Sequence, residues 1–346
     1  MQDARGLGYR VLYPFWGGGS SGMARVISEV SIAAKALQRG ELVAFATETV
    51  YGLGGVALWP PTVARIFEAK GRPTFDPLIV HVPDLAAVRE LVTEFPPVAE
   101  RLARAFWPGP LTLVLPKAAC IPDLVTSGLS SVAVRIPRHP LALELLRQVG
   151  LPIAAPSANL FGRVSPTTAA HVADQLGDRI EWILDGGPCE VGVESTVRAI
   201  PASGLPTLLR PGGVTLEEIE AVIGPVQLPS GDSNGDSDNS QSPQLAPGSL
   251  PQHYAPATPL YLGDLAADPP AGRYGALAFR RCPHPERYAA VEVLSPSGHL
   301  SEAAAALFAA LRRLDAQPLD GIFAERFPDE GLGRAINDRL KRASHR

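Results

Sequence analysis

Apolar positions along the chain follow two spacings. Val26, Ile27, Val30, Ala33, Ala34 and Leu37 recur at helical spacing and Gly40 follows, so the pattern predicts a helix starting near Met23. The run 42–46 (LVAFA) is short and continuously apolar, as in a buried strand. Thr62 to Lys70 reads as a helix with Pro61 near its start and Gly71 past its end. LIVHV (78–82) predicts a strand, Asp84 a cap for a helix through Val92, and Val98 to Phe106 another helix. LTLVL (111–115), VAVRI (132–136) and PIAAP (152–156) predict strands, and Pro140 to Val149 a helix stopped by Gly150. Ser165-Pro166 has the form of a cap followed by proline at the first helical position, opening a helix to Leu176. WILD, STVRAI and TLLR predict further strands, and Thr215 with Glu218 forms a capping box for a helix to Ile223. Strands interspersed with helices predict an α/β domain.

The pattern breaks at 229–245 (PSGDSNGDSDNSQSPQL), which is too polar to offset its ordering entropy by burial and is expected to be a flexible linker. It restarts with the strand-like PLYL, YGALAF and VEVL, an alanine-rich helix at Leu300 to Leu314, the strand-like GIFAE and a last helix at Leu332 to Arg342. This predicts a second, smaller α/β domain of Rossmann-like type.

Composition narrows the classes. The 346 residues suffice for two domains, and 46% hydrophobic against 19% charged residues excludes a disordered chain. The net charge of −4 lacks the basic excess usual for a protein living on nucleic-acid phosphates, though a local basic cleft is compatible with it. The three cysteines, Cys120, Cys189 and Cys282, form no C-x-x-C pair, which rules out a zinc ribbon and fits a reducing compartment such as the cytoplasm. No apolar run is long enough for a membrane span, and residues 1–23 read as a leader without a secretory core.

There is no Walker loop, no G-x-G-x-x-G, no G-x-S-x-G and no H-E-x-x-H. What remains is a set of polar residues at predicted strand ends. Thr47 to Gly54 (TETVYGLG) offers hydroxyls and backbone N–H groups to a small ligand, or is an ordinary glycine-rich turn. Lys70 and Arg72 flank a glycine, with Asp76 and His81 beyond; the two cations suit phosphates, or simply a helix C-terminus, and His81 suits a core position equally. Ser131 and Arg135 share one strand face, and Arg135 requires an anionic partner, either a ligand carboxylate or an internal acid. Ala155, Ser157 and Asn159, then Ser165, make a donor-rich rim or a turn and cap; Glu194-Ser195-Thr196 and Leu209-Arg210-Pro211-Gly212-Gly213 are weaker signals of the same kind. If these segments converge, Lys70, Arg72, Arg135 and Arg210 with neutral donors between them suit a polyanion and a small zwitterion. No side chain stands out as a covalent nucleophile, so catalysis there would work by positioning and charge neutralisation.

TETVYGLG, KGRP with DPLIVH, FWPGPLT, VRIPRHP, APSAN, ESTV and LRPGG occur in that order, and the set resembles the YrdC-like family of threonylcarbamoyl-AMP synthases over about residues 24–225. Pro247-Gly248 and His253-Tyr254-Ala255-Pro256 resemble its two-domain form. The resemblance implies a YrdC-like twisted mixed sheet with surrounding helices at 24–228, a linker at 229–258 and a Rossmann-like domain at 259–346. It also implies a reaction: L-threonine, bicarbonate or CO2, and ATP with Mg2+ give threonylcarbamoyl-AMP and pyrophosphate. The product would serve a tRNA-modification transferase complex. The family's threonine site falls on Thr47, His81, Arg135, the backbone of Ala155, and Ser195. Its ATP site falls on Arg72, Asp76, Ser131, Ser157, Asn159, Ser165, Arg210 and Tyr254, with Lys70 and Arg72 as the catalytic cations and Mg2+ held mainly by the ATP phosphates. The competing readings are a non-catalytic double-stranded-RNA or tRNA-binding protein, disfavoured by the net charge, a carbamoyl-adenylate enzyme of hydrogenase maturation, disfavoured by the missing cysteine pairs, and a nucleotide-binding regulator with a dead site, disfavoured by the full polar set.

Overall fold

A computed structural model describes residues 23–200, 206–228 and 253–345. The expected leader, up to residue 22, and residues 229–252 of the expected linker lie outside the described residues. The first domain runs β1 (Arg25–Ile27), α1 (Val30–Gln38), β2 (Val43–Phe45), β3 (Gly52–Val56), α2 (Pro60–Lys70), β4 (Ile79–His81), α3 (Leu85–Leu91), α4 (Pro97–Phe106), β5 (Leu111–Pro116), α5 (Asp123–Thr126), β6 (Ser131–Arg135) and α6 (Pro140–Val149). It continues with β7 (Ile153–Ala154), α7 (Ala169–Leu176), β8 (Trp182–Leu184), β9 (Thr196–Ala199), β10 (Thr207–Arg210) and α8 (Leu216–Ile223). Its strands form one mixed sheet in the order β1-β8-β2-β3-β7-β4-β6-β5-β9-β10. The second domain adds β11 (Leu260–Leu262), β12 (Tyr274–Ala278), β13 (Ala290–Val293), α9 (Leu300–Asp315), β14 (Gly321–Ala324) and α10 (Gly333–Ser344). Its four strands are all parallel, in the order β11-β14-β12-β13. No described helix is long and apolar enough to cross a membrane.

Local chemistry explains most boundaries. Asp84 accepts a hydrogen bond from the Ala87 N–H and opens α3, α6 begins at Pro140 and ends against Gly150, and Thr215 with Glu218 closes a reciprocal capping box on α8. Three elements differ from the expectation. Val26 and Ile27 do not belong to a helix from Met23; they pair in parallel with Ile183 and Leu184 as β1, and α1 starts at Val30. Ser165 is not the cap of α7; Thr168 is, accepting from His171 N–H, because the Ser165 hydroxyl is bound to Glu194. The glycine-rich segment after Thr49 is a buried strand, β3, rather than a turn.

The two domains share a core. Val50, Val164 and Val193 of the first domain pack in one cluster with Leu277, Leu307, Phe308 and Leu311 of the second. Each fully buried valine contributes about 1.5–3 kcal/mol relative to exposure, so the second domain is seated on the first, not merely tethered to it.

Candidate active site

The polar segments converge because the strands that carry them are neighbours in the large sheet. β4 and β6 run parallel with His81 opposite Arg135, and His81 also faces Ile153 of antiparallel β7. Thr47 follows β2, Ala155 and Ser157 follow β7, Ser195 precedes β9, and Arg210 closes β10. A bridge between Gly52 and Ser157 joins the TETVYGLG segment to the APSAN segment. The result is one cavity lined by Thr47, Arg72, His81, Arg135, Ala155, Ser157, Ser195, Arg210 and Tyr254, with Thr49, Gly52, Ile79, Glu194 and His253 between them. The cavity measures about 40 Å3, room for only a few waters.

Five predicted site residues do not line it. Lys70 sits behind the wall, its Nζ donating to the carbonyls of Ser157 at 2.6 Å and Asn159 at 2.5 Å. Asn159 is buried there too, its Nδ2 donating to the Leu160 and Arg163 carbonyls. Asp76 pairs with Arg72 at 2.9 Å, while Arg72 Nε donates to the Asp76 carbonyl. Ser165 donates to Glu194 Oε1 at 2.5 Å. Ser131, at the opposite end of β6 from Arg135, lines a separate open groove with Leu115, Pro116, Ala199 and Leu209.

Arg135 has found the internal acid. Its Nη2 donates to Glu48 Oε1 at 2.7 Å, Nη1 to Thr49 Oγ1 at 2.9 Å and Nε to the Gly109 carbonyl at 3.2 Å. A guanidinium carries five N–H donors, so two stay available to a ligand in the cavity. Burial works against the charge on Glu48, but the Arg135 guanidinium beside it holds the carboxyl below the usual range. Glu48 also accepts from the Arg138 N–H at 3.0 Å. Burial, reinforced by the positive charge of Arg135, lowers the pKa of His81 to about 3, so its ring is neutral at pH 7. Its Nδ1 is buried without a hydrogen-bond partner among the described residues, which leaves it to a ligand.

On the other side Arg210 donates from Nε and Nη2 to the Ser195 carbonyl, at 3.3 and 2.9 Å, and the Ser195 hydroxyl lies 2.8 Å from that of Thr112. The close approach needs Gly212, where a Cβ would lie 2.3 Å from the Glu194 carbonyl oxygen. Burial lowers the pKa of Lys70, Arg72 and Arg210. Tyr254 and His253 cover this end; the buried Tyr254 hydroxyl has no hydrogen-bond partner among the described residues. Arg339 of α10 reaches Glu194 Oε2 at 2.7 Å from the second domain. Five buried cations, Lys70, Arg72, Arg135, Arg210 and Arg339, thus stand against three buried carboxylates, Glu48, Asp76 and Glu194, and the part-buried Asp338 that pairs with Arg339, a small positive excess suited to an anionic ligand. Among the described residues no three His, Cys, Asp or Glu side chains are grouped to hold a metal ion.

Sequence reasoning gave no role to Glu48 or Arg339, and named Glu194 and His253 only within the Glu194-Ser195-Thr196 and His253-Tyr254-Ala255-Pro256 motifs. Glu48 carried a signal, being the acid inside TETVYGLG when Arg135 needed one. Arg339 carried none, since α10 reads as an ordinary charged surface helix.

A family model described as telomere recombination matches residues 35–212, and one described as the threonylcarbamoyl-AMP synthase C-terminal domain matches residues 214–345. The threonylcarbamoyl-AMP synthase of Bacillus subtilis is 45% identical over 342 residues, covering 91% of this chain and 93% of that protein. The chain belongs to the threonylcarbamoyl-AMP synthase family. The family member from Pyrococcus abyssi is 44% identical over 324 residues, covering 91% of this chain and 94% of that protein. The crystal structure of P. abyssi Sua5 complexed with L-threonine superposes with a TM-score of 0.82 at 42% identity, covering 91% of this chain and 94% of that one. The family therefore accounts for both sheets, the mixed one and the smaller parallel one.

Proposed function

We propose that this chain is a nucleotidyltransferase that makes L-threonylcarbamoyl-AMP and pyrophosphate from L-threonine, bicarbonate or CO2, and ATP. The observation that carries this reading is the pairing, in one cavity, of Arg135 with N–H donors to spare and a second wall bearing Arg72 and Arg210. The first suits a carboxylate and the second a polyphosphate. The relatives named for this synthesis, and the P. abyssi protein complexed with L-threonine, support it.

The threonine carboxylate takes the two remaining Arg135 donors, while Thr47, the Ala155 backbone, Ser195 and neutral His81 meet its polar groups. The threonine amine, as the free base, adds to CO2 and loses one proton, giving a carbamate. A carbamate oxygen then attacks the α-phosphorus of ATP; the new O–P bond forms as the bond to pyrophosphate breaks. Arg72 and Arg210 balance the charge gathering on the phosphates. Lys70 holds the Ser157–Asn159 loop against them through two carbonyls. Mg2+ enters on the ATP phosphates as part of that substrate and supplies further neutralisation. The mixed anhydride formed is reactive, and the consumer we infer is a cytoplasmic transferase that places its threonylcarbamoyl group on tRNA.

The test is to incubate the full chain with ATP, Mg2+, L-threonine and 13C-bicarbonate and to follow pyrophosphate and the adenylate by mass. Product that requires both threonine and bicarbonate and carries the label is expected. Absence of product from a folded protein that shifts RNA in a salt-dependent way would replace this reading with a non-catalytic RNA-binding one.

A further inference from the structure

The two walls of the cavity are anchored by different parts of the chain. Every hydrogen bond described for the side chains of Thr47, Glu48 and Arg135 goes to a residue of the first domain. The other wall is reached from the second domain by Arg339, while Phe308 of α9 stacks on the Tyr254 ring at 5.9 Å. Arg339, on α10, is 0% exposed. Its Nε donates to Glu194 Oε2 at 2.7 Å and its Nη2 to the Pro211 carbonyl at 3.1 Å. Its guanidinium also lies 4.9 Å from the centre of the Tyr254 ring. Glu194 in turn accepts from Ser165 at 2.5 Å. Pro211 follows Arg210, and Glu194 precedes Ser195. One guanidinium therefore touches or indirectly fixes three segments assigned to the nucleotide, those of Ser165, Arg210 and Tyr254; Ser195, on the threonine side, follows Glu194 but is held by Thr112 and Arg210. A second arginine of that domain supports the same loop: Arg312 Nη2 donates to the Val164 carbonyl at 2.5 Å, next to Ser165.

We infer that Arg339 is a positioning residue for the nucleotide half of the reaction, fixing Ser165 through Glu194 and holding Tyr254 by its ring, so that this side chain of the second domain completes the ATP side and makes no hydrogen bond to the threonine side. The inference rests on the proposed function for the identity of the nucleotide. It differs from simple domain docking, because docking has its own exposed pair: Arg334 of α10 bridges to Glu217 of α8 away from the cavity. It also exploits the geometry of arginine. A lysine can meet Glu194, but cannot also donate to the Pro211 carbonyl and lie flat on Tyr254.

The experiment uses the full chain and reads ATP and threonine separately, by equilibrium binding of each and by steady-state kinetics. Arg339→Gln is expected to raise the ATP dissociation constant and KM by at least ~10-fold, as for loss of one partner of a buried charge pair. The threonine dissociation constant, measured without ATP, should stay within about twofold of the parent's, a spread typical of changes that touch no contact. Arg339→Lys should fall between parent and Arg339→Gln. Arg334→Gln should leave both constants at parent values. Because Arg339→Gln strands a buried carboxylate, the Arg339→Met/Glu194→Gln pair, which removes both charges, is measured beside it and should show the same selective ATP defect. Parent ATP affinity in either folded variant overturns the inference, as does an equal loss for threonine, or an equal effect of Arg334→Gln. Failure of the parent to make product while it still binds ATP would sink the proposed function and leave the Arg339 comparison readable.

Discussion

The two buried ion pairs at the cavity, Arg135–Glu48 and Arg339–Glu194, look alike: each has an arginine, a carboxylate, near-complete burial and a 2.7 Å contact. They differ in sequence reach and in what the arginine does. Arg135 comes from a central strand, β6, and lines the cavity with two of its five donors unspent on the described bonds. Arg339 comes from a helix of the other domain and spends its donors on Glu194, Pro211 and Asp338. A pair built inside one sheet can present a charge to a ligand. A pair built across a domain junction places the groups that do so. Under the proposed function the same interaction serves recognition in one wall and assembly in the other.

The largest effect is expected from splitting the first pair. Arg135→Met strands Glu48 in the core, and unfolding free energy should fall by about 3–5 kcal/mol, with no adenylate formed; urea melts and the product assay check both. Next comes Gly212→Ala. Its Cβ would collide with the Glu194 carbonyl and with Ser195, so the walls should separate at a loss of about 1–3 kcal/mol in stability, together with a fall in turnover. Parent turnover in that variant would break the link between the two walls.

Acid should weaken the fold. His81 is held down to about 3 by burial and by Arg135, whereas a histidine in an unfolded chain titrates at about 6.5. Between those values the unfolded chain binds a proton that the folded chain refuses, so the stability of the whole fold is full above about 6.5 and declines as pH falls towards 3. Burial acts in the same sense on His171 and His253. Urea midpoints from about pH 7 to about pH 5 should decline, and His81→Gln should flatten that slope by up to one proton. The smallest effect is a control: Thr215→Ala removes the capping box of α8 and should lower stability by about 1 kcal/mol, with both substrate affinities unchanged.

What was legible in the sequence was local. Pro140 and Gly150 bracket α6 where the helix lies, and Asp84 caps α3, because those signals act within a turn of the chain. Long-range competition defeated the rest. Val26 and Ile27 have helical spacing, but pairing with β8 draws them into a strand. Ser165-Pro166 has the form of a cap, but Glu194 takes the hydroxyl. The glycines of β3 read as a turn, yet at Gly54 a Cβ would lie 2.8 Å from the Phe45 ring, so glycine there answers to packing. In the site, the polar motifs located eight of the residues that line the cavity, and the resemblance of the His253-Tyr254 segment added Tyr254. The partner of Arg135 stayed open, because Glu48 meets it only once β2 and β6 share a sheet. Arg339 was out of reach, since its role exists only after α10 seats against Glu194.

The most direct measurement is a calorimetric titration of L-threonine, and separately of ATP, into the full chain and into the Arg135→Gln/Glu48→Gln variant. That variant removes both buried charges of the first pair and should stay folded. The account predicts that the parent binds both ligands, and that the variant keeps its ATP affinity within about threefold while losing threonine binding by ~100-fold or more, as for loss of a charge-assisted carboxylate contact. Threonine binding retained at parent strength would contradict the assignment of that wall to threonine.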